Sequence, residues 1–284
     1  MPSLPGMKPD VVVWSGPVYG EGLAPTAAGD IGRVKWSYPT VVITLNRGPD
    51  GGWGSDSFAL LAESLTKNGR ILPQILAKKG LYVDTVRHVA IAGHSAFHGL
   101  ANRLLAADGD RIDAAILLDA CFGAAGHPEK EGYRQFGRMA AHGQKLMVYT
   151  ASLGQNGPGL IKSTTGLECA ASNAEASASS AGVPMHSFAL PPSMPAISPG
   201  SGGSARRAGD LFLVDYRAQF EHGQHVSQLT VPTLQTFLVP YLGSGDVPGG
   251  NEKGTDNTWK WIAGAAAVTA AGAGAYYLAN RRKA

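Results

Sequence analysis

Short apolar runs alternate with longer helical stretches along most of this 284-residue chain. Runs rich in Val, Ile, Leu and Ala lie at residues 11–14, 40–45, 88–92, 114–118, 146–149 and 211–215. Continuous apolar runs of this length are typical of strands that are buried on both faces. Because strand and helix alternate without evident hairpin turns, the pattern predicts an α/β fold, with a mostly parallel sheet flanked by helices on both faces.

Helical patterns fill the intervals between these runs. They lie at residues 56–79, 129–142, 160–181 and 226–242, and a further one begins directly after Ser95. Gly69 and Pro73 are expected to divide the first of them. Residues 191–204 are rich in Pro, Gly and Ser, which predicts a loop.

The composition changes near residue 243, which divides the chain into three parts. Residues 1–243 form the predicted globular domain, and residues 244–257 read as a flexible linker. Residues 258–284 contain an uncharged run from Trp261 to Ala279, with aromatic residues at both ends and Arg281, Arg282 and Lys283 beyond it. This length and flanking pattern predict a transmembrane tail helix.

Charge and motif content exclude several classes of function. The net charge is +3, and all of this excess comes from the basic residues in the tail, so nucleic acid is not expected as a partner. No P-loop, G-x-G-x-x-G, HExxH or EF-hand pattern occurs, so neither a cofactor nor a metal is expected. Cys121 and Cys169 lie in no zinc or redox motif and are expected to be buried free thiols.

One segment, VAIAGHSAFHGLANRLL, carries a recognisable chemical pattern. It places Gly93, His94 and Ser95 between an apolar strand and a helix, which is the context of a nucleophile elbow. The pattern and the order of elements resemble the α/β-hydrolase superfamily of serine esterases and lipases over residues 9–242. One departure is Phe97, since the G-x-S-x-G pattern of the family has a small residue there.

The resemblance implies a triad in the chain order serine, acid, histidine. Asp119 ends the strand that follows Ser95 and is the predicted acid, although most family members carry the acid one strand later. Its alternative role is to cap the following turn. His225 lies just before the closing helix and is the predicted base, with His222 as the alternate.

Backbone amides near the serine are expected to bind the oxyanion. Ala96 follows Ser95 at a helix N-terminus, and the second donor is expected from Ser15 or Gly16 after the first strand. His94 and Tyr19 are expected to line the pocket.

These residues predict a membrane-tethered serine hydrolase that cleaves an ester or similar acyl bond, with a small-molecule or lipid-like acyl substrate. The alternatives are a catalytically inactive hydrolase-fold scaffold and an envelope or virion component. The positive-inside rule places the basic end of the tail in the cytoplasm and the domain outside. Because no secretory signal is evident at the N-terminus, a cytoplasm-facing domain is slightly favoured.

Overall fold

The computed structural model of the protein describes residues 8–15, 31–45, 70–95, 97–121, 131–152, 166–220 and 224–244. Within these ranges, eight strands form one sheet in the order β2-β1-β3-β4-β5-β8-β7-β6. The strands are β1 (Asp10–Ser15), β2 (Thr40–Thr44), β3 (Val89–His94), β4 (Ala114–Leu118), β5 (Leu146–Ala151), β6 (His186–Ser187), β7 (Ser204–Ala208) and β8 (Leu211–Asp215). Every pair from β2 to β8 is parallel, so the predicted α/β class with a mostly parallel sheet is confirmed.

Helices connect the parallel strands. The four longer connecting helices in the described ranges are α1 (Ile71–Ala77), α2 (Phe97–Asp108), α3 (Glu131–Ala141) and α4 (Gly166–Ala181), and short 3₁₀ turns lie at Val83–Thr85 and Arg217–Gln219. Because β3, β4, β5 and β8 follow one another in one direction across the sheet, right-handed crossovers place the helices between them on a single face.

The two faces of the sheet bury separate cores. Along β1, Val11 and Val13 pack with α1 to α4, whereas Val12 and Trp14 pack on the opposite face. That opposite face is covered by residues 31–34 and by the closing helix, which is defined here as residues 225–243. The five fully buried strands, β1, β3, β4, β5 and β8, are thus enclosed between two layers, so their polar groups can meet a ligand only at the strand ends.

Two prolines interrupt the closing helix. It consists of π-helical pieces at His225–Leu229 and Leu234–Leu238 and α-helical pieces at Thr230–Thr233 and Val239–Gly243. Pro232 and Pro240 lack the amide hydrogen of the α-helical pattern. In an α-helix, the amide of each residue donates to the carbonyl oxygen four residues earlier, and a proline cannot make this bond. The residue four positions before each proline lies in a π-helical piece, so the wider turns occur where the α-helical hydrogen bond is missing.

The antiparallel strands β6 and β7, at one side of the sheet, are the part that the sequence pattern did not predict. β7 pairs with β8 across the two-residue turn Gly209–Asp210, and β6 pairs with β7. Gly209 has a φ of 54°, as required at the first position of a tight hairpin turn. The expectation that the sequence contained no hairpin was therefore wrong, because β7 is polar and lacks the apolar run of a buried strand.

No helix in the described ranges is both long enough and apolar enough to span a bilayer. The predicted tail helix at residues 258–284, and all but the first residue of the predicted linker, lie outside those ranges.

Candidate active site

Polar residues lie together at the carboxyl ends of the parallel strands, a region called the carboxyl edge here. They are Ser15 in β1, Ser95 after β3, Asp119 after β4, Ser152 after β5 and Asp215 in β8. The chain leaves β1 toward β2 and leaves β3 toward β4, so the strand order reverses between β1 and β3. Open α/β sheets bind ligands in the crevice at such a switch point, at the carboxyl ends of the strands. Ser15 and Ser95 lie at this position.

Ser95 has a backbone conformation that is rare for any residue other than glycine. Its φ is 54°, and it forms the turn between the end of β3 at His94 and the start of α2 at Phe97. The amide of His98 donates a hydrogen bond to the Ser95 carbonyl oxygen at 3.1 Å, which closes the turn. A serine in left-handed backbone between a strand and a helix is the geometry of a nucleophile elbow.

The bulky residue at position 97 fits because residue 93 is glycine. A Cβ atom at Gly93 would lie 2.3 Å from the ring of Phe97 and 2.7 Å from the carbonyl oxygen of Ser15. The Phe97 ring is fully buried in the core beneath α2. The departure from the G-x-S-x-G pattern is therefore accommodated inside the core, on the face of the sheet that α1 to α4 cover.

Asp119 occupies the matching position on the neighbouring strand. Leu118 pairs with His94, so Asp119 and Ser95 each lie one residue beyond a paired position on adjacent strands. Asp119 is 2% exposed and has a φ of 44°. Its amide donates to the Thr150 carbonyl oxygen at 2.7 Å. Its Oδ2 atom accepts a hydrogen bond from Ser152 Oγ at 3.3 Å, which orients the carboxyl group.

A second carboxylate at this edge is already engaged. Asp215 Oδ1 accepts the amide of Arg217 at 2.8 Å, and its Oδ2 lies 2.9 Å from Arg217 Nε. Burial raises the pKa of Asp215, and the hydrogen bond and charge of Arg217 oppose that rise. Arg217 occupies both oxygens of Asp215. Asp119 lies at the end of the strand next to Ser95 and is the better candidate to orient an imidazole.

The predicted base is described only through its backbone. His225 begins the closing helix, and the His225–Leu229 piece packs against β4, the strand that leads to Asp119. His222, the alternate base, lies outside the described residues. The structure therefore brings Ser95 and Asp119 to adjacent strand ends and places the segment that begins with His225 against the same strand.

The other predicted site residues divide in the same way. Ala96, Gly16 and Tyr19 lie outside the described residues. Ser15 ends β1, and its buried hydroxyl has no hydrogen-bond partner among the described residues. His94 ends β3 and is 2% exposed, and the alternation along the strand directs its side chain to the face covered by the closing helix.

The cysteines are joined, so the expectation of free thiols was wrong. Cys121 and Cys169 form a disulfide with their Cα atoms 5.4 Å apart. The bond links the turn after Asp119 to the first turn of α4. Asn173 donates to the Cys169 carbonyl oxygen at 2.9 Å and lies against both sulfur atoms. Sequence spacing could not reveal the bond, because the fold alone brings these distant positions together.

A tyrosine that the sequence did not single out completes the surroundings of the site. Tyr133 in α3 is fully buried, and its hydroxyl lies 2.9 Å from the carbonyl oxygen of Ala120 and 3.0 Å from that of His98. Burial holds the pKa of Tyr133 well above its usual range, so the hydroxyl keeps its proton. In the sequence, the only sign of this role was a tyrosine at a helix position that faces the apolar core.

A scan against protein-family models gives no match for this chain, and a search of curated proteins finds no similar sequence. Within the described ranges, no three His, Cys, Asp or Glu residues are grouped closely enough to hold a metal ion.

Proposed function

We propose that this protein is a serine hydrolase of the α/β-hydrolase type, which cleaves an ester or similar acyl bond. The observation that carries the proposal is the left-handed backbone of Ser95, at the switch point of the sheet and one strand from a buried aspartate. Strain of this kind in a non-glycine residue persists where the surroundings enforce it, and it concentrates at functional sites.

The proposed reaction follows from the roles of the residues. Ser95 Oγ attacks the acyl carbonyl carbon while the imidazole of His225, or of His222 as the alternate, takes the hydroxyl proton. Asp119 fixes the tautomer of that imidazole and stabilises its charged form. Backbone amides at Ala96 and at Ser15 or Gly16 bind the oxyanion. The alcohol leaves with the proton, and water then releases the acid from Ser95.

The exclusion of water from the aspartate supports its role. Asp119 is almost completely buried, and Ser152 Oγ donates a hydrogen bond to its Oδ2 atom. A carboxylate in a low-dielectric environment interacts more strongly with a neighbouring imidazolium than an exposed carboxylate does. No cofactor enters the proposed reaction.

A fluorophosphonate probe tests the proposal directly, because it reacts with an activated serine. The wild-type chain is expected to become labelled at Ser95, and Ser95→Ala is expected to abolish labelling. Ser227→Ala is the matched control, since Ser227 is an exposed serine in the closing helix and its loss should leave labelling unchanged. Absence of labelling in the folded wild-type chain would reject the hydrolase and favour the inactive scaffold.

We also propose that residues 258–284 tether the domain to a membrane, on the strength of their uncharged run and basic end. The disulfide bears on the side of that membrane, since such bonds persist mainly in oxidising compartments. It supports an orientation with the domain on the non-cytoplasmic side, in contrast to the orientation that the N-terminal sequence favoured. Both cysteines are buried, so thiol labelling is done after denaturation of the cells, with and without prior reduction. Cysteines that label only after reduction are joined and support the non-cytoplasmic orientation, whereas cysteines that label without reduction support the cytoplasmic one.

A further inference from the structure

The segments that carry the proposed nucleophile and acid are bridged by one side chain. His98 lies in the first turn of α2 and closes the turn at Ser95 through its amide. Ala120 directly follows Asp119. The Tyr133 hydroxyl lies within hydrogen-bond distance of the carbonyl oxygens of both His98 and Ala120, and its single proton can be donated to either of them.

The neighbours of Tyr133 fix its position. Gly132 allows α3 to approach α2 closely, since a Cβ atom there would lie 2.0 Å from the carbonyl oxygen of Asn102. The Tyr133 amide donates to Asn102 Oδ1 at 3.3 Å. Its ring packs edge-on against Tyr149 with the ring centroids 6.1 Å apart. The hydroxyl is therefore presented to the two carbonyls by a side chain that has little freedom to move.

We propose that Tyr133 is a positioning residue for the hydrolase reaction, holding the Asp119 turn at a set distance from the Ser95 turn. This inference rests on the proposed function. The disulfide at Cys121 anchors the same turn to α4, so the turn is held from two sides. Tyr133 touches neither Ser95 nor substrate in this account and acts only through the two backbone carbonyls.

Tyr133→Phe isolates this role, because it keeps the ring and removes the hydroxyl that bonds the two carbonyl oxygens. We expect kcat to fall about tenfold while KM stays unchanged, since small misplacement of reacting groups lowers the rate without weakening substrate binding. Tyr149→Phe is the matched control. The Tyr149 hydroxyl is buried in the same cluster and has no hydrogen-bond partner among the described residues, so its removal should leave kcat unchanged.

The experiment compares the full-length wild type, Tyr133→Phe and Tyr149→Phe. It measures the rate of fluorophosphonate labelling, kcat and KM on p-nitrophenyl butyrate, and amide hydrogen exchange at Asp119 and His98. The expected result is about tenfold slower labelling, lower kcat and faster exchange for Tyr133→Phe alone. Circular dichroism establishes the folded fraction of each variant.

Three outcomes would overturn the inference. Wild-type rates in Tyr133→Phe, with the wild type labelled at Ser95, reject the positioning role and leave the hydrolase intact. A loss of rate that only matches a loss of folded protein assigns Tyr133 to stability alone. An unlabelled wild type rejects the hydrolase itself, and the positioning role with it.

Discussion

The two edges of the sheet differ in how they satisfy their polar groups. At the amino edge, the fully buried Asp10 accepts hydrogen bonds from Arg87 Nε at 2.9 Å and Arg87 Nη2 at 2.6 Å, and it lies 3.1 Å from His88 Nδ1. Arg87 also donates to the Leu242 carbonyl oxygen at 2.6 Å and stacks on the Tyr38 ring. This network joins β1, the start of β3 and the end of the closing helix.

The carboxyl edge is strained instead. Among the described residues, positive φ values at positions other than glycine occur at Ser95, Asp119 and Arg217, and each lies just beyond a parallel strand at this edge. The buried Ser15 hydroxyl at the same edge has no partner in the described ranges. The amino ends of the strands therefore stabilise the fold, whereas the carboxyl ends hold residues in costly conformations of the kind that concentrate at functional sites.

Asp119→Asn should have the largest effect on activity among changes that keep the Ser95 hydroxyl. An asparagine keeps the shape but cannot hold the required imidazole tautomer or stabilise its charge, so kcat/KM should fall about 10⁴-fold. Ester hydrolysis by the purified variant measures this loss. Asp215→Asn is the matched control at the same edge, because Arg217 already engages that carboxylate, and it should cost less than about tenfold. A larger loss for Asp215→Asn than for Asp119→Asn would instead assign the acid to Asp215 at the end of β8.

Asp10→Asn should have the largest effect on stability. It leaves the Arg87 charge without its buried partner, so the free energy of unfolding should fall by about 3 kcal/mol while labelling at Ser95 is retained. Urea unfolding measures the loss. If the folded Asp10→Asn variant were no longer labelled at Ser95, the Asp10 network would be needed for the reactivity of Ser95 as well as for stability.

The same aspartate predicts a pH dependence. Burial raises the pKa of Asp10, but the hydrogen bonds from His88 and Arg87 outweigh it and hold the pKa below the ordinary value of 3.8. The contribution of Asp10 to the free energy of unfolding is therefore present above about pH 4, and it is lost as pH falls through the lowered pKa. Wild-type stability should drop below pH 4 more steeply than that of Asp10→Asn, as followed by thermal unfolding. If the stability of the two proteins fell equally with pH, the ion pair between Asp10 and Arg87 would not contribute to stability.

Ser152→Ala tests the support of the acid. Removal of the hydroxyl takes away the hydrogen bond to Asp119 Oδ2, and kcat should fall about tenfold. Ser180→Ala is the control, since that hydroxyl bonds only within α4 to the Ser177 carbonyl oxygen. Steady-state kinetics on one ester measures both. Equal rates in the two variants would remove Ser152 from the site.

Ser95→Gly should stabilise the fold while abolishing activity, because glycine adopts positive φ without the steric cost that serine bears. We expect a net gain of about 1 kcal/mol in the free energy of unfolding. The same change at Ser227, which lies in a helix, should instead destabilise the protein by about 0.5–1 kcal/mol. Thermal unfolding compares the pair. A destabilised Ser95→Gly would contradict the strained turn.

The buried half of the fold could be predicted from the sequence because burial on both faces produces continuous apolar runs. The strands at Ala114–Leu118 and Leu211–Asp215 were predicted with their observed bounds. The strand at Ser204–Ala208 was not, because an edge strand keeps polar residues and only the Gly209–Asp210 pair signals its hairpin. A two-residue Gly-Asp turn before an apolar run is the signal that would have revealed it.

The site could be predicted in part for a similar reason. Ser95 and Asp119 follow apolar strands directly, so their place at the carboxyl edge follows from the strand pattern. The disulfide and the Tyr133 hydroxyl bonds join segments that are distant in sequence, and only the packing of α3 and α4 on the sheet brings them together. The roles of His225 and His222 remain predictions from the sequence.

A crystal structure of the fluorophosphonate-treated protein would show which atom reacts, because the adduct stays bonded to it. We predict phosphorus bonded to Ser95 Oγ, with the imidazole of His225 within about 3 Å of both that oxygen and the Asp119 carboxylate. An imidazole from His222 in that place would keep the mechanism and correct the base. An adduct on another residue, or a Ser95 Oγ atom with no imidazole near it, would contradict the proposed triad.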